Sequence, residues 1–301
     1  MPHIKSSFSI KDLENLSGIK AHTIRIWEKR YGLLQPERTD TNIRFYSLTS
    51  LRKLLNVSLL NSEGIKISKI AKLDYLNFDK ELQQAISNKV NKNQFINQLK
   101  VAMLNYDAFL FEEAYSQIEK SLSFSDIFKN YFVPFLNEIG LLWQSGSINP
   151  THEHFISNII KQKILVETYK VQLNEVTKHD KLFVLFLPDL EIHDLGLTYL
   201  QYEVIRAGYK SVLLGSSVPI ELLKPFISQE QETIFVSYFT VQPSIDKIPK
   251  YFTEFSSLLL QNQNSSLYVL GKQITNFDQE KSVPKNIRFF HSLDELINQI
   301  S

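Results

Sequence analysis

The sequence predicts a multidomain α and α/β protein: a small helical head, a run of four helices, then a Rossmann-like, doubly wound parallel sheet. Three features carry this reading. Apolar residues recur at three and four up to about residue 175, then give way to near-continuous runs of strand length. Residues 78–92 are polar and end Asn/Lys-rich, which suits a junction. Charge divides near the same place: residues 1–72 hold thirteen Lys/Arg against six Asp/Glu, and the remainder twenty against twenty-six. A basic head on an acidic body suggests a polyanion-binding module joined to something else.

In the head, Phe8, Ile10, Leu13 and Leu16 follow a helical apolar pattern that ends at Ser17-Gly18. Ile24, Trp27 and Tyr31 continue at core spacing as far as Gly32. The stretch from Pro36 to Asn42 is turn-rich, and Ile43, Phe45 and Tyr46 suit a short strand. A helix from about Ser50 to Asn61 and a shorter one from near Ser68 complete the segment 1–77. Helix, glycine turn, helix and strand together make a winged helix-turn-helix, whose second helix enters the major groove of DNA.

Residues 92–175 read as a four-helix bundle, with helices near 93–104, 106–121, 124–145 and 150–174. Phe128, Phe132, Phe135, Ile139 and Leu142 mark one buried stripe. Asn149-Pro150 starts the last helix, with Asn as cap and Pro in the first turn. Over 179–301, apolar runs at Leu182–Leu187, Ser211–Leu214, Thr233–Phe239, Leu267–Leu270 and Ile287–Phe290 alternate with helical stretches. Buried strands in that alternation predict a parallel sheet with its ligand crevice at the carboxyl ends of the strands.

Composition excludes several classes. Hydrophobic residues at 43% and charged residues at 22% are those of a folded protein. No apolar stretch approaches the roughly 18–20 residues that span a bilayer, and the start lacks a signal-peptide core, so a cytoplasmic location is expected. The absence of cysteine removes disulfides, thiolate metal sites and cysteine nucleophiles. His3, His22, His179 and His291 are scattered and suggest no zinc site.

Residues 8–46 closely resemble the DNA-binding domain of the MerR family of transcription regulators. The resemblance runs through Thr23-Ile24-Arg25, Trp27-Glu28, Arg30-Tyr31-Gly32-Leu33, Pro36-Glu37-Arg38 and Arg44-Phe45-Tyr46. Asn42-Ile43 stands where the family often has a wing glycine, and Asn tolerates positive φ. The resemblance implies a double-stranded operator bound by a dimer or larger homo-oligomer. His22, Thr23 and Arg25 are placed to read bases, and Arg38, Arg44 and Tyr46 are assigned to the wing contacts.

At the end of the first strand of the α/β region, Glu191-Ile192-His193-Asp194-Leu195-Gly196 looks like the Asp/Glu-x-His-x-x-Gly motif of cobalamin-binding domains. The resemblance implies His193 as the lower axial ligand of cobalt, with Glu191 setting its tautomer. Gly196 would let the next helix begin close to the corrin. Ser237-Tyr238-Phe239 resembles the family's serine motif. Gly271-Lys272 stands for its usual Gly-Gly, a departure expected to crowd the nucleotide-tail pocket. Trp143, followed by Glu153-His154 after nine residues, resembles the signature of adenosylcobalamin-dependent light-sensing repressors of the CarH/LitR type.

That resemblance implies adenosylcobalamin as cofactor. Trp143 would pack on the adenosyl group, Glu153 would bond to it, and His154 would take the upper cobalt position after photolysis. His152 is read as a spectator. In such proteins the dark form assembles and holds DNA, and light disassembles it. Two alternatives stay open: a related regulator with a decayed corrin site that answers to a protein or another ligand, and a subunit of a cobalamin mutase or methyltransferase. No substrate barrel supports the latter, and a non-enzymatic role is expected.

Overall fold

The computed structural model describes residues 7–62, 64–74, 76–78, 80–81, 92–227, 230–261, 264–277 and 283–300. The chain divides into two compact units, residues 1–159 and 160–301, and the division falls within the helix Pro150–Gln172. Most of the 78–92 junction lies outside the described residues.

The first unit opens with β1 (Ser7–Ser9) and α1 (Ile10–Ser17). Sequence periodicity places Phe8 on the helix, but the chain is still extended there, and Phe8 pairs with Tyr46. The reason is local. Ser9 caps α1 through its hydroxyl on the Asp12 amide, and the Asp12 carboxylate takes the Ser9 amide in return, which fixes the helix start at Ile10. Gly18, at φ 72, ends it.

After α2 (Ala21–Tyr31), β2 (Glu37–Arg38) and β3 (Arg44–Ser47) form the wing. The small sheet has the order β1-β3-β2, antiparallel throughout. Asn42 adopts φ 64 at the wing turn, the left-handed conformation expected of it. Next come α3 (Leu48–Ser62) and the short α4 (Ile67–Ile70). Leu13, Leu16, Ile24, Tyr46, Leu51 and Leu54 are buried in the head.

Helices Lys92–Asn105, Ala108–Ile118, Phe124–Gln144 and Pro150–Gln172 follow, close to their expected bounds. The third is not uniform, because Phe128–Phe132 is a π-helical turn. Pro134 follows immediately and cannot donate a backbone bond into the preceding turn, which favours local widening. Phe95, Phe111, Tyr115 and Phe132 pack ring to ring beside it.

Polar contacts tie head to helices inside this unit. Lys100 is buried, and its Nζ donates to the Leu16 carbonyl at 3.1 Å and to Glu138 Oε1 at 2.6 Å. Asn15 Nδ2 donates to Ser147 Oγ at 3.0 Å.

In the second unit, β4 (Lys178–Phe186), β5 (Tyr209–Gly215), β6 (Glu232–Tyr238), β7 (Ser265–Leu270) and β8 (Ile287–Phe290) form a parallel sheet of order β5-β4-β6-β7-β8. Phe186, Phe235, Phe239, Phe252 and Phe255 lie in one apolar cluster on this sheet. The first strand of the sheet lies between its second and third, so strand order reverses at β4/β6. A crevice opens outside the carboxyl ends of two strands whose connections leave in opposite directions.

Candidate functional site

In the head, α2 presents His22, Thr23 and Arg25 on its first two turns, His22 and Arg25 exposed and Thr23 half-buried, while Ile24 turns into the core. Ile26 on the same helix and Ile43 on the wing are also exposed, two apolar side chains that sequence reasoning passed over. Trp27 packs on the cluster of Leu33, Val57, Leu60 and Ile70, the core role its spacing suggested. Arg38 is exposed and donates to Asn42 Oδ1 at 2.5 Å across the wing turn.

Tyr46 requires a correction. Its ring is 0% exposed, and its hydroxyl donates to Glu28 Oε2 at 3.0 Å, so it cannot reach DNA. Burial first, then the adjacent Glu28 charge, push its phenol well above the ordinary range. Arg44 pairs through Nε with the other Glu28 oxygen at 3.1 Å. Glu28 therefore joins α2 to β3 and sets the angle between the recognition helix and the wing.

In the same unit, Trp143 is 53% exposed near the end of the helix Val133–Gln144. Glu153 and His154 lie in the first turn of the helix Pro150–Gln172, across a short turn from it. Glu153 accepts from Ser157 Oγ at 2.8 Å and contacts His154 Nδ1 at 2.9 Å, and the His154 side chain is exposed. His152 is buried and stacked on Tyr106 with ring centroids 4.9 Å apart, a structural role.

In the second unit, the loop after β4 carries Glu191 and His193 at the point where strand order reverses. Glu191 is fully buried and its two oxygens receive five donors. Oε2 takes the Val241 and Gln242 amides at 2.6 and 2.7 Å, from the loop after β6. Oε1 takes the Ile192 and His193 amides at 2.9 and 3.0 Å, and the His193 ring at 2.5 Å.

Burial alone would raise this carboxyl. The bonds from the His193 ring and the surrounding amides outweigh it and hold it at about 2. An ionised carboxylate only accepts, so Nδ1 of His193 carries the proton and Nε2 is the nitrogen suited to a metal. The His193 side chain is 51% exposed. Leu190, Ile192 and Val241 expose apolar surface around it.

The other motif positions have the following surroundings. A Cβ at Gly196 would lie 2.9 Å from Tyr238 Cε2, so the space beside this glycine is filled by the tyrosine ring. Gly271 has φ 116, and a Cβ there would meet the Phe239 carbonyl oxygen at 2.4 Å. Its smoothness serves the close approach of two loops. Lys272, expected to crowd the pocket, is exposed at the start of the short helix Lys272–Thr275. Ser237 Oγ is buried and has no hydrogen-bond partner among the described residues. Asp194, missed in the sequence, pairs with Lys161 Nζ at 2.5 Å.

These features suit a corrinoid: a nitrogen ligand with its tautomer fixed, an apolar rim for a flat macrocycle, and an orphaned buried hydroxyl. Among the described residues, no group of three or more His, Asp or Glu could hold a metal ion by itself. A corrin brings its own equatorial nitrogens and asks the protein for one axial ligand.

Residues 8–75 match the MerR HTH family regulatory protein description, and residues 95–166 match the B12 binding domain. The chain thus carries, in this order, one segment that matches a MerR HTH head and one that matches a B12 binding domain. It is homologous to two repressors of Myxococcus xanthus. To the HTH-type transcriptional repressor CarH it is 24% identical over 226 residues, 71% of this chain and 73% of that one. To the HTH-type transcriptional repressor CarA it is 23% identical over 220 residues, 71% of this chain and 70% of that one. The monomethylamine corrinoid protein of Methanosarcina barkeri shares the fold at a TM-score of 0.57 and 13% identity, over 69% of this chain and 98% of that one.

Proposed function

We propose that this protein is a cytoplasmic transcription repressor that binds adenosylcobalamin and changes its hold on operator DNA in response to light. The observation that carries the reading is the Glu191–His193 pair at the β4/β6 reversal, where a buried ionised carboxylate orients an exposed imidazole. In this reading residues 1–77 bind DNA, 92–175 cap the cofactor and 179–301 hold it. His193 is the lower cobalt ligand through Nε2, and Ser237 donates to the cofactor's nucleotide portion. By the resemblance, Trp143 and Glu153 would help to bind the adenosyl group, and His154 would be a further candidate ligand for the cobalt. When bound, adenosylcobalamin supplies a cobalt–carbon bond weak enough for visible light to break.

On the DNA side, His22, Thr23 and Arg25 read base edges, and Ile26 covers a thymine methyl group. Arg38 and the remaining guanidinium nitrogens of Arg44 hold phosphates. The protein acts as a homo-oligomer. Leu165 and Tyr169 support this, being exposed four positions apart on one face of the helix Pro150–Gln172, with Leu173 exposed just beyond its end. Losing the assembly would cost avidity while leaving the recognition helix intact.

The test is an absorption spectrum after dark incubation with adenosylcobalamin and desalting, repeated after green light. A retained corrin spectrum that shifts irreversibly is expected; a colourless protein would sink the reading. The Tyr238 ring against Gly196 favours a second reading, a regulator with a decayed corrin site that answers to a protein or another ligand. Tyr238→Ala separates the two: a gain in cobalamin affinity means a narrowed site, and continued absence of binding means an abandoned one.

A further inference from the structure

A cavity of about 630 Å³ lies within the first unit, away from the residues assigned to DNA or cobalamin. One wall belongs to the head, where α3 contributes Arg52, Asn56 and Leu59 at helical spacing, and Leu33 closes the end of α2. The opposite wall is Gln94, Asn97, Gln98 and Val101, one face of the helix Lys92–Asn105, joined by Leu110 and Gln117 of the next helix. Helix faces that meet inside a protein are normally apolar and close-packed, with few voids larger than a water. Here they stand apart and carry amides, and the volume falls within the range of small-molecule pockets, roughly 300–1,000 Å³.

A second observation points to an occupant. Gln94 is 2% exposed, and among the described residues its Oε1 has no hydrogen-bond partner. A buried carbonyl left in this state is costly, so the site calls for a donor delivered from the cavity. Among the described lining residues, Arg52 and Lys53 are exposed against one exposed carboxylate, Glu113, so the described part of the mouth carries more positive than negative charge.

We propose that this cavity is a second ligand site, for an amphipathic organic anion with an apolar body and an N–H or O–H donor. The donor meets Gln94 Oε1, the apolar body rests on Leu59, Val101 and Leu110, and the anionic group faces Arg52 and Lys53. Its occupant bridges the head and the helices behind it. Any preference it has for one head position is then passed to DNA binding by linkage, and DNA affects its affinity by the same factor. The site uses none of the side chains assigned individually to cobalamin (Trp143, Glu153, His154, Glu191, His193 and Ser237), so its test is independent of that reading.

The probe is 8-anilinonaphthalene-1-sulfonate, which has two aromatic bodies, one amine N–H and one sulfonate, titrated into the full-length protein and followed by fluorescence. Saturable binding of one dye per chain is expected. Gln94→Met, which keeps the shape and removes the acceptor, should weaken it about 5-fold, the loss of one hydrogen bond. Asn97→Trp, at a half-buried position, should fill the cavity and abolish binding. Circular dichroism and melting temperature identify any variant that fails to fold. Leu190→Ser with Val241→Ser, in the other unit, should leave dye affinity unchanged. Absence of saturable binding, equal affinity in Gln94→Met and Asn97→Trp as in the parent, or loss only in the Leu190/Val241 variant would each overturn the site.

Discussion

Glu191→Gln keeps the size and shape of a fully buried side chain and exchanges one acceptor oxygen for a two-proton donor. Both oxygens of Glu191 receive only donors: the Val241 and Gln242 amides on one side, the Ile192 and His193 amides and the His193 ring on the other. The new NH₂ therefore faces donors in either orientation, and the charge that strengthened the five contacts is gone. Holding the carboxyl at about 2, well below the ordinary carboxylate range, favours the ionised folded form by about 2 kcal/mol once partial solvent screening is allowed for, at roughly 1.4 kcal/mol per pH unit. Because the folded value is depressed, this contribution is present above about pH 4.5 and is lost as the pH falls toward 2. The assay is amide hydrogen exchange over residues 240–243, together with denaturant unfolding at pH 7 and pH 3. Exchange at Val241 and Gln242 should quicken about 100-fold in the variant at pH 7, and the stability gap between parent and variant should narrow at pH 3. A gap below about 1 kcal/mol, or one of equal size at both pH values, would refute the reasoning.

Tyr46→Phe should cost the head about 1 kcal/mol by removing the bond to Glu28, and should leave the salt dependence of DNA binding unchanged. A flatter salt slope would return Tyr46 to the DNA interface. Gly271→Ala should destabilise the second unit by at least about 2 kcal/mol, since it combines φ 116 with a 2.4 Å approach to the Phe239 carbonyl. A melting temperature equal to the parent's would contradict that close approach. Lys100→Met should loosen the head from the helices by about 1–2 kcal/mol, because the Leu16 carbonyl loses its donor while Glu138 can rehydrate. Unchanged exchange in α1 would show that the contact contributes nothing.

The periodicities that separate head, helices and sheet are properties of neighbouring residues, and they were legible without the fold. The same holds for the Asn149-Pro150 helix start, the positive φ of Asn42, and the placing of Glu191 and His193 at a strand's carboxyl end. Where local signals competed, one reading lost. Phe8 fits the helical stripe of Ile10 and Leu13, yet the Ser9–Asp12 capping box starts the helix after it.

Tyr46 shows the limit more sharply, because its neighbours Arg44 and Phe45 belong to a wing and its own hydroxyl belongs to Glu28, eighteen positions earlier. The second oxygen of Glu191 likewise finds its donors fifty positions later, at Val241 and Gln242, because β4 and β6 are adjacent in the sheet though not in the chain.

The sequence by itself determined where most helices and the strands of the parallel sheet run, which residues resemble a DNA reader and which a corrin ligand loop. Caps, periodicity and backbone preference all act within a few residues. Tertiary structure alone decided that Gly196 accommodates a tyrosine ring, that Gly271 accommodates a backbone carbonyl, and that Gln94 faces a cavity. Each depends on which distant atoms occupy the space next to a residue, and that is set by packing between elements rather than by the order of residues within one.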